Sequence, residues 1–156
     1  IPGIYRVDIT LDQAGKTETQ QHDANKLLLP LAFVPVNTND GHLSAVSKGP
    51  NQNWVFFDSE TFSVDDPFNT DPTASWQPYE QEIIAMNVVP TTATVEVRRY
   101  AHHRSRGLTT AGNGYRSQPR ISCSWDGSIV LWTSNYNRQL LPDNDYADMY
   151  SLAFSN

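Results

Sequence analysis

Asp126 and Gly127 sit between two short runs in which apolar and polar residues alternate, Pro119 to Ser124 and Ser128 to Ser134. An Asp-Gly pair supplies the positive φ angles of a tight type I′ turn, and alternation with period two marks half-buried strands, so the segment predicts an antiparallel hairpin. A third strand, Asp148 to Phe154, follows after a polar loop. The same order stands once more upstream: Gly41 to Ser47, a turn over Lys48 to Asn53, Trp54 to Ser59, and after a long loop Glu82 to Met86. Laid on one another, Val55 meets Val130, Phe57 meets Trp132, Ser59 meets Ser134 and Glu82 meets Asp148. A repeat constrains the fold more than either hairpin alone, since each unit buries a face that only its neighbour can cover.

The remaining segments extend the pattern. Ile4 to Ile9 alternates cleanly, and Thr17 to His22 is expected to be the strand that follows it after a turn at Asp12 to Gly15. Leu27 to Val34 is apolar but holds Pro30, which favours a buried connection or edge segment over a central strand. No segment predicts a helix. With the strands of one unit lettered A to D, the chain parses as C-D over 1–40 with a connection, A-B-C-D over 41–103, and A-B-C over 104–156. Four-stranded sheets repeated radially make a β-propeller, which ordinarily has about four to eight blades of roughly 40 to 45 residues. The fold class is therefore all-β, a partial propeller of about two to three blades whose last unit lacks its fourth strand.

Composition agrees and removes several functions. The 156 residues make about one domain, rich in aromatics (four Trp, seven Tyr, six Phe), as short strands joined by polar turns require. A net charge of −6 argues against a general binder of nucleic-acid phosphates. Cys123, the single cysteine, lies in an alternating run with nothing basic beside it in sequence and is read as a small packed side chain. No run reaches the roughly 18 to 20 apolar residues of a membrane span. Ile1-Pro2-Gly3 is not a signal peptide, and a signal removed ahead of it, or further blades upstream, would leave the same beginning.

Tyr79 to Ile84, Val97 to Ser105, Tyr115, Pro119-Arg120, Ser124 to Gly127, Leu131 to Asn135 and Asp148 to Tyr150 together resemble the terminal blades of TolB-like propellers, over about residues 41–154. That superfamily places a Ser-Pro-Asp-Gly turn between strands A and B. Here Trp125 stands where proline is usual, and the other A-B turn, Lys48 to Asn53, lacks the motif. The resemblance implies a propeller acting outside the cytoplasm, extracellular or periplasmic. It implies no one activity, because propellers host hydrolases, lyases, scaffolds and receptors alike.

In a propeller the B-C and D-A connections leave by one end, and here these are the elaborate ones: 58–81, 102–118 and 135–146. Long loops on a rigid scaffold usually carry function, so this end is the candidate site. His102 and His103 are adjacent on a strand and point to opposite sides, so one is expected to pack and bond a backbone carbonyl while the other is solvated. A metal shared with His42, Asp65, Asp66 or Asp71 has no ligand spacing to support it, and no metal site is assigned. Calcium at Asp65, Asp66 and Asp71 is kept as an expectation from oxygen chemistry alone. His103, Tyr115 and Arg116 form a candidate set for uronate β-elimination, in which a base takes the α-proton, a cation stabilises the enolate-like charge and an acid protonates the leaving oxygen. His102, Arg104, Phe62, Phe68, Trp76, Tyr79 and Tyr136 are candidate ligand contacts, the aromatics by stacking on sugar rings or anchoring a protein. Ser105, Ser124 and Ser134 stand outside any Gly-x-Ser-x-Gly elbow.

The sequence is accordingly expected to encode a binding or scaffold module that recognises a protein or glycan through its loop-rich end. An enzyme, most plausibly a polysaccharide lyase, is the competing class. A third is a structural component whose open strand edges pair with the remaining propeller blades or with other copies of the chain.

Overall fold

The alternating runs of the sequence become strands in the computed structural model, which describes residues 3–30, 41–59, 78–89, 96–105, 118–136 and 147–154. The elements are β1 (Gly3–Arg6), α1 (Glu18–Ala24), β2 (Lys26–Pro30), β3 (Leu43–Ala45), β4 (Trp54–Asp58), β5 (Glu82–Asn87), β6 (Val97–His102), β7 (Ser122–Cys123), β8 (Ile129–Ser134) and β9 (Asp148–Ala153). They form three sheets in strict chain order, β1-β2, β3-β4-β5-β6 and β7-β8-β9, every pairing antiparallel. Among the described residues the chain is all-β apart from one short helix. No described helix is long and apolar enough to cross a membrane.

The middle sheet is covered on both faces because its strands alternate two sets of apolar side chains. Trp54, Phe56, Ile83 and Ala85 face the third sheet and pack on Ile121, Val130 and Trp132. Phe57, Ile84 and Met86 face the first sheet and pack on Leu28 and Leu29. Removing each large side chain of this kind from water is worth about 1.5–3 kcal/mol, so these two clusters fix the stacking of the sheets. The unbroken buried run from Gln81 to Met86 is the signature of a strand covered on both sides.

Three local expectations need correction. Residues 17–22 were expected as a strand, but Glu18–Ala24 is helical. Thr17 and Gln20 form a capping box, with Gln20 N–H donating to Thr17 Oγ1 (3.3 Å) and Thr17 N–H donating to Gln20 Oε1 (2.9 Å). The partner of β1 is instead Lys26–Pro30, which overlaps the apolar segment Leu27 to Val34 and is, as one of the two readings of that segment had it, an edge strand; Pro30 is tolerated at its end. At the hairpin, only Gly127 has positive φ (71°), whereas a type I′ turn needs it at Asp126 as well. The turn is closed by Gly127 N–H on Ser124 O (3.0 Å), and Asp126 Oδ1 accepts from Ser128 N–H (3.0 Å) and from the hydroxyls of Ser124 and Ser128 (both 2.8 Å). Those three bonds hold Asp126 in ordinary backbone space.

Trp125 joins the sheets here. Its carbonyl accepts from Ser47 N–H (2.9 Å) and Lys48 N–H (3.0 Å), so the turn of the third sheet rests on the corresponding turn of the second. Cys123 packs between the same two sheets, with Ser44 Oγ 3.3 Å from its sulfur.

Candidate functional site

Because each sheet is a simple meander, β4, β6 and β8 end, and β5, β7 and β9 begin, at one end of the molecule. The nine buried polar or charged residues among those described, Asp58, Ser59, Glu80, Gln81, Glu82, His103, Ser105, Ser134 and Asn135, all lie at this end. So do the five described non-glycine residues with positive φ: Tyr79 (62°), Gln81 (53°), Arg104 (56°), Arg120 (45°) and Tyr136 (46°). Left-handed backbone costs a side-chain-bearing residue on the order of 1 kcal/mol or more, and it concentrates where a surface is shaped for a task. The turns at the opposite end use glycine, Gly49 and Gly127.

Asp58 ties the second and third sheets together at the floor of this end. Its carboxylate is fully buried and accepts from His42 N–H (2.6 Å) and from Ile121 N–H (2.9 Å), while His42 Nδ1 lies 3.5 Å away. Burial raises its pKa above the ordinary carboxylate value, and the two backbone N–H groups oppose that rise. Gly41 is needed beside it, since a Cβ there would run into the Asp58 carbonyl and the Phe57 ring.

His103 is the hub of a second buried network. It is 0 % exposed; Nε2 donates to Ser59 O (2.8 Å) and Nδ1 accepts from Ser105 N–H (3.1 Å), which fixes a neutral tautomer. Ser105 Oγ donates to Ser134 Oγ (3.2 Å), which donates to the His103 carbonyl (2.5 Å) and accepts from Tyr136 N–H (2.9 Å). Ser134 Oγ thus meets the backbone carbonyl of His103, and Ser59 and Ser105 meet its ring through backbone groups, the Ser59 carbonyl and the Ser105 N–H. An imidazole with both nitrogens held in the interior is a structural tie between strands.

Two groups of side chains stand above this floor. Glu82, buried on β5, is gripped by the Arg99 guanidinium through Oε1 and Oε2, with Nε to Oε2 at 2.7 Å, and His102 Nε2 lies 3.4 Å from Oε1. Tyr79 adds its ring 5.8 Å from the same guanidinium. Trp132, Tyr150 and Tyr136 form the second group, a ladder of near-parallel rings with centroids 6.1 Å and 5.5 Å apart. Arg104 caps it, its guanidinium 5.7 Å from the Tyr136 ring, which is 47 % exposed.

The structure therefore brings Arg104 and Tyr136 together, and sets His102 and Tyr79 around Arg99 and Glu82. Among the other expected site residues, Phe62, Phe68, Trp76, Tyr115 and Arg116, and the calcium candidates Asp65, Asp66 and Asp71, lie outside the described residues. No group of three His, Cys, Asp or Glu able to hold a metal occurs among the described residues. Asp58, Glu82, Arg99 and Tyr150 were missed as contributors. Glu82 and Asp58 carried a readable signal, a lone acid at the end of an otherwise apolar strand. Comparison with protein-family models, with curated proteins and with solved structures found no match.

Proposed function

We propose that this chain is the terminal part of a TolB-like β-propeller that acts outside the cytoplasm as a binding module, recognising its partner at the loop-bearing end. The observation that carries this reading is the concentration of every described buried polar residue and every described non-glycine positive φ at that one end. A sheet end that served only to turn the chain would use glycine and solvent-facing polar groups, as the opposite end does.

Of a glycan and a protein, the surface chemistry favours a glycan bearing carboxylates. Tyr136 offers an exposed ring on a stacked support, the arrangement on which the apolar face of a sugar rests. Arg104 and Arg120 are exposed at the same end beside one exposed acid, Asp148, whereas Asp58, Glu80 and Glu82 are buried, so among the described residues exposed cations outnumber exposed acids there. Elimination chemistry has no such support, because His103 is committed to Ser59 and Ser105.

The test is binding to a panel of neutral and uronate-containing polysaccharides. Uronate polymers are expected to bind, and Tyr136→Asn with Arg104→Asn, which keep a residue tolerant of the left-handed backbone, should weaken binding by about tenfold or more with an unchanged melt. Binding of no glycan, or equal binding by the variant, would remove the reading. Appearance of unsaturated uronate products during incubation would return the lyase reading in its place.

A further inference from the structure

The glycine-turn end reverses the chain with its backbone, and one large side chain there takes no part in the reversal. Trp125 is 71 % exposed, more than Tyr136 at the loop-bearing end. The backbone beneath it is fixed from both sides. Gly127 N–H closes the turn on Ser124 O, the Trp125 carbonyl accepts from Ser47 N–H and Lys48 N–H, and Asn51 Nδ2 donates to Asp126 O (3.4 Å). Gly127 also packs so closely on Val46 that a Cβ there would stand 2.7 Å from Cγ2. A ring carried on a turn held in this way is already in place when a ligand arrives, which spares the cost of ordering it on binding.

The surroundings of the ring decide what it can meet. Of the side chains exposed beside it on the two turns, Ser47, Lys48, Gln52 and Asn53 are polar, and only Pro50 is apolar. Ile129, also exposed, points elsewhere, because strand alternation puts it on the opposite face of β8 from Val130 and Trp132, which pack on the second sheet. A tryptophan that anchors a protein sits at the centre of an apolar patch from which water is excluded. This one is rimmed by hydroxyl and amide groups instead. An aromatic plane with hydrogen-bonding groups at its edge matches a pyranose, whose C–H face rests on the ring while its hydroxyls meet the rim.

Charge narrows the class of sugar. Lys48 Nζ lies 5.5 Å from the ring centroid, and Asp126 stands beside the same turn, its Cβ 3.9 Å from the place a Cβ on Gly49 would take. One cation and one carboxylate balance, whereas exposed cations outnumber exposed acids among the described residues of the loop-bearing end. The Lys48 pairing is at the surface, where cation–π contacts are weakest, so its stem yields the ring to a ligand. We propose that Trp125 is the platform of a separate glycan site at the glycine-turn end, one that takes a neutral chain of equatorially substituted pyranoses. Such sugars present axial C–H groups on their faces and carry no charge. The site lies at the opposite end from the proposed uronate surface and does not depend on it.

The probe is cellohexaose, titrated into the full chain by isothermal calorimetry. Saturable binding is expected. Trp125→Ala keeps the carbonyl that ties the two turns, and should weaken binding about tenfold or more with an unchanged melt. Trp125→Phe keeps a smaller aromatic plane and should retain part of the affinity. Tyr136→Asn with Arg104→Asn should bind cellohexaose as the unaltered chain does, so failure of this site and failure of the uronate surface are seen separately. No saturable binding, equal binding by Trp125→Ala, or loss of binding only in the variant at Tyr136 and Arg104 overturns the inference. A concentration-dependent dimer dissolved by Trp125→Ala would also overturn it, by giving the ring to a second copy.

Discussion

Ser59 and Ser134 occupy matching places in the repeat, yet their hydroxyls meet different surroundings. Ser134 Oγ makes three hydrogen bonds in the His103 network, whereas Ser59 Oγ is buried with no hydrogen-bond partner among the described residues. Ser134→Ala should therefore cost about 2–3 kcal/mol in urea unfolding, and Ser59→Ala should range from neutral to about 1 kcal/mol stabilising. Equal costs would contradict the assignment. Asp58 gives a pH signature of its own. Because burial raises its pKa above the ordinary 3.8, the native state holds the proton more tightly, and stability is expected to fall as pH rises from about that value through the raised one. Asp58→Asn should lack this segment of the pH profile, read from melts across the acid range. Little of this was legible in advance. In the sequence Asp58 stands where the strand 54–59 meets the long connection 58–81, which shows an acid at a strand end but not its partners: the N–H groups that hold it belong to His42 and to Ile121, the latter 63 residues away. The contrast between the two histidines was legible, since strand alternation alone sends one inward, and His103 is buried while His102 is exposed.

At the scale of elements, the hairpin that organises the sequence depends on Gly127 in two ways. Its φ is 71°, and a Cβ there would stand 2.7 Å from Val46 Cγ2, whereas at Gly49 (φ 82°) the nearest atom would be 3.9 Å away. Gly127→Ala is expected to destabilise by about 2–3 kcal/mol, combining strain and overpacking, and Gly49→Ala by about 1 kcal/mol from strain alone. Thermal melts of the two variants should rank them in that order; the reverse order would refute the close packing of the two turns. Asp126 titrates with the opposite sign to Asp58. The Ser128 N–H, with the Ser128 and Ser124 hydroxyls, lowers its pKa from 3.8 to about 2, so its stabilisation is present above the first value and lost as pH falls toward the second. Strand positions were readable because period-two alternation and turn residues are local. The helix was not, because the Thr17–Gln20 capping box competes with an alternating polar segment whose side chains reveal neither face. The exact turn type escaped as well, since side-chain bonds at Asp126 decide it.

At the scale of the whole molecule, the repeat fixes how the layers stack. Val55 and Phe57 correspond to Val130 and Trp132; Phe57 looks back to the first sheet as Val130 and Trp132 look back to the second. Each sheet thus presents one face to the layer before it and the other to the layer after. The antiparallel meander within each sheet is what sends the connections 58–81, 102–118 and 135–146 out from one end, where function is sought. The ladder of Trp132, Tyr150 and Tyr136 was only partly legible, because Tyr150 reaches it from a strand that follows a loop whose length conceals the register. The most direct test of the account is hydrogen–deuterium exchange with and without a bound uronate oligosaccharide. Protection is expected in the segments around 79–82, 102–105, 119–121 and 134–136. Protection confined to the turns around 47–53 and 124–128, with the loop-bearing end unchanged, would contradict it.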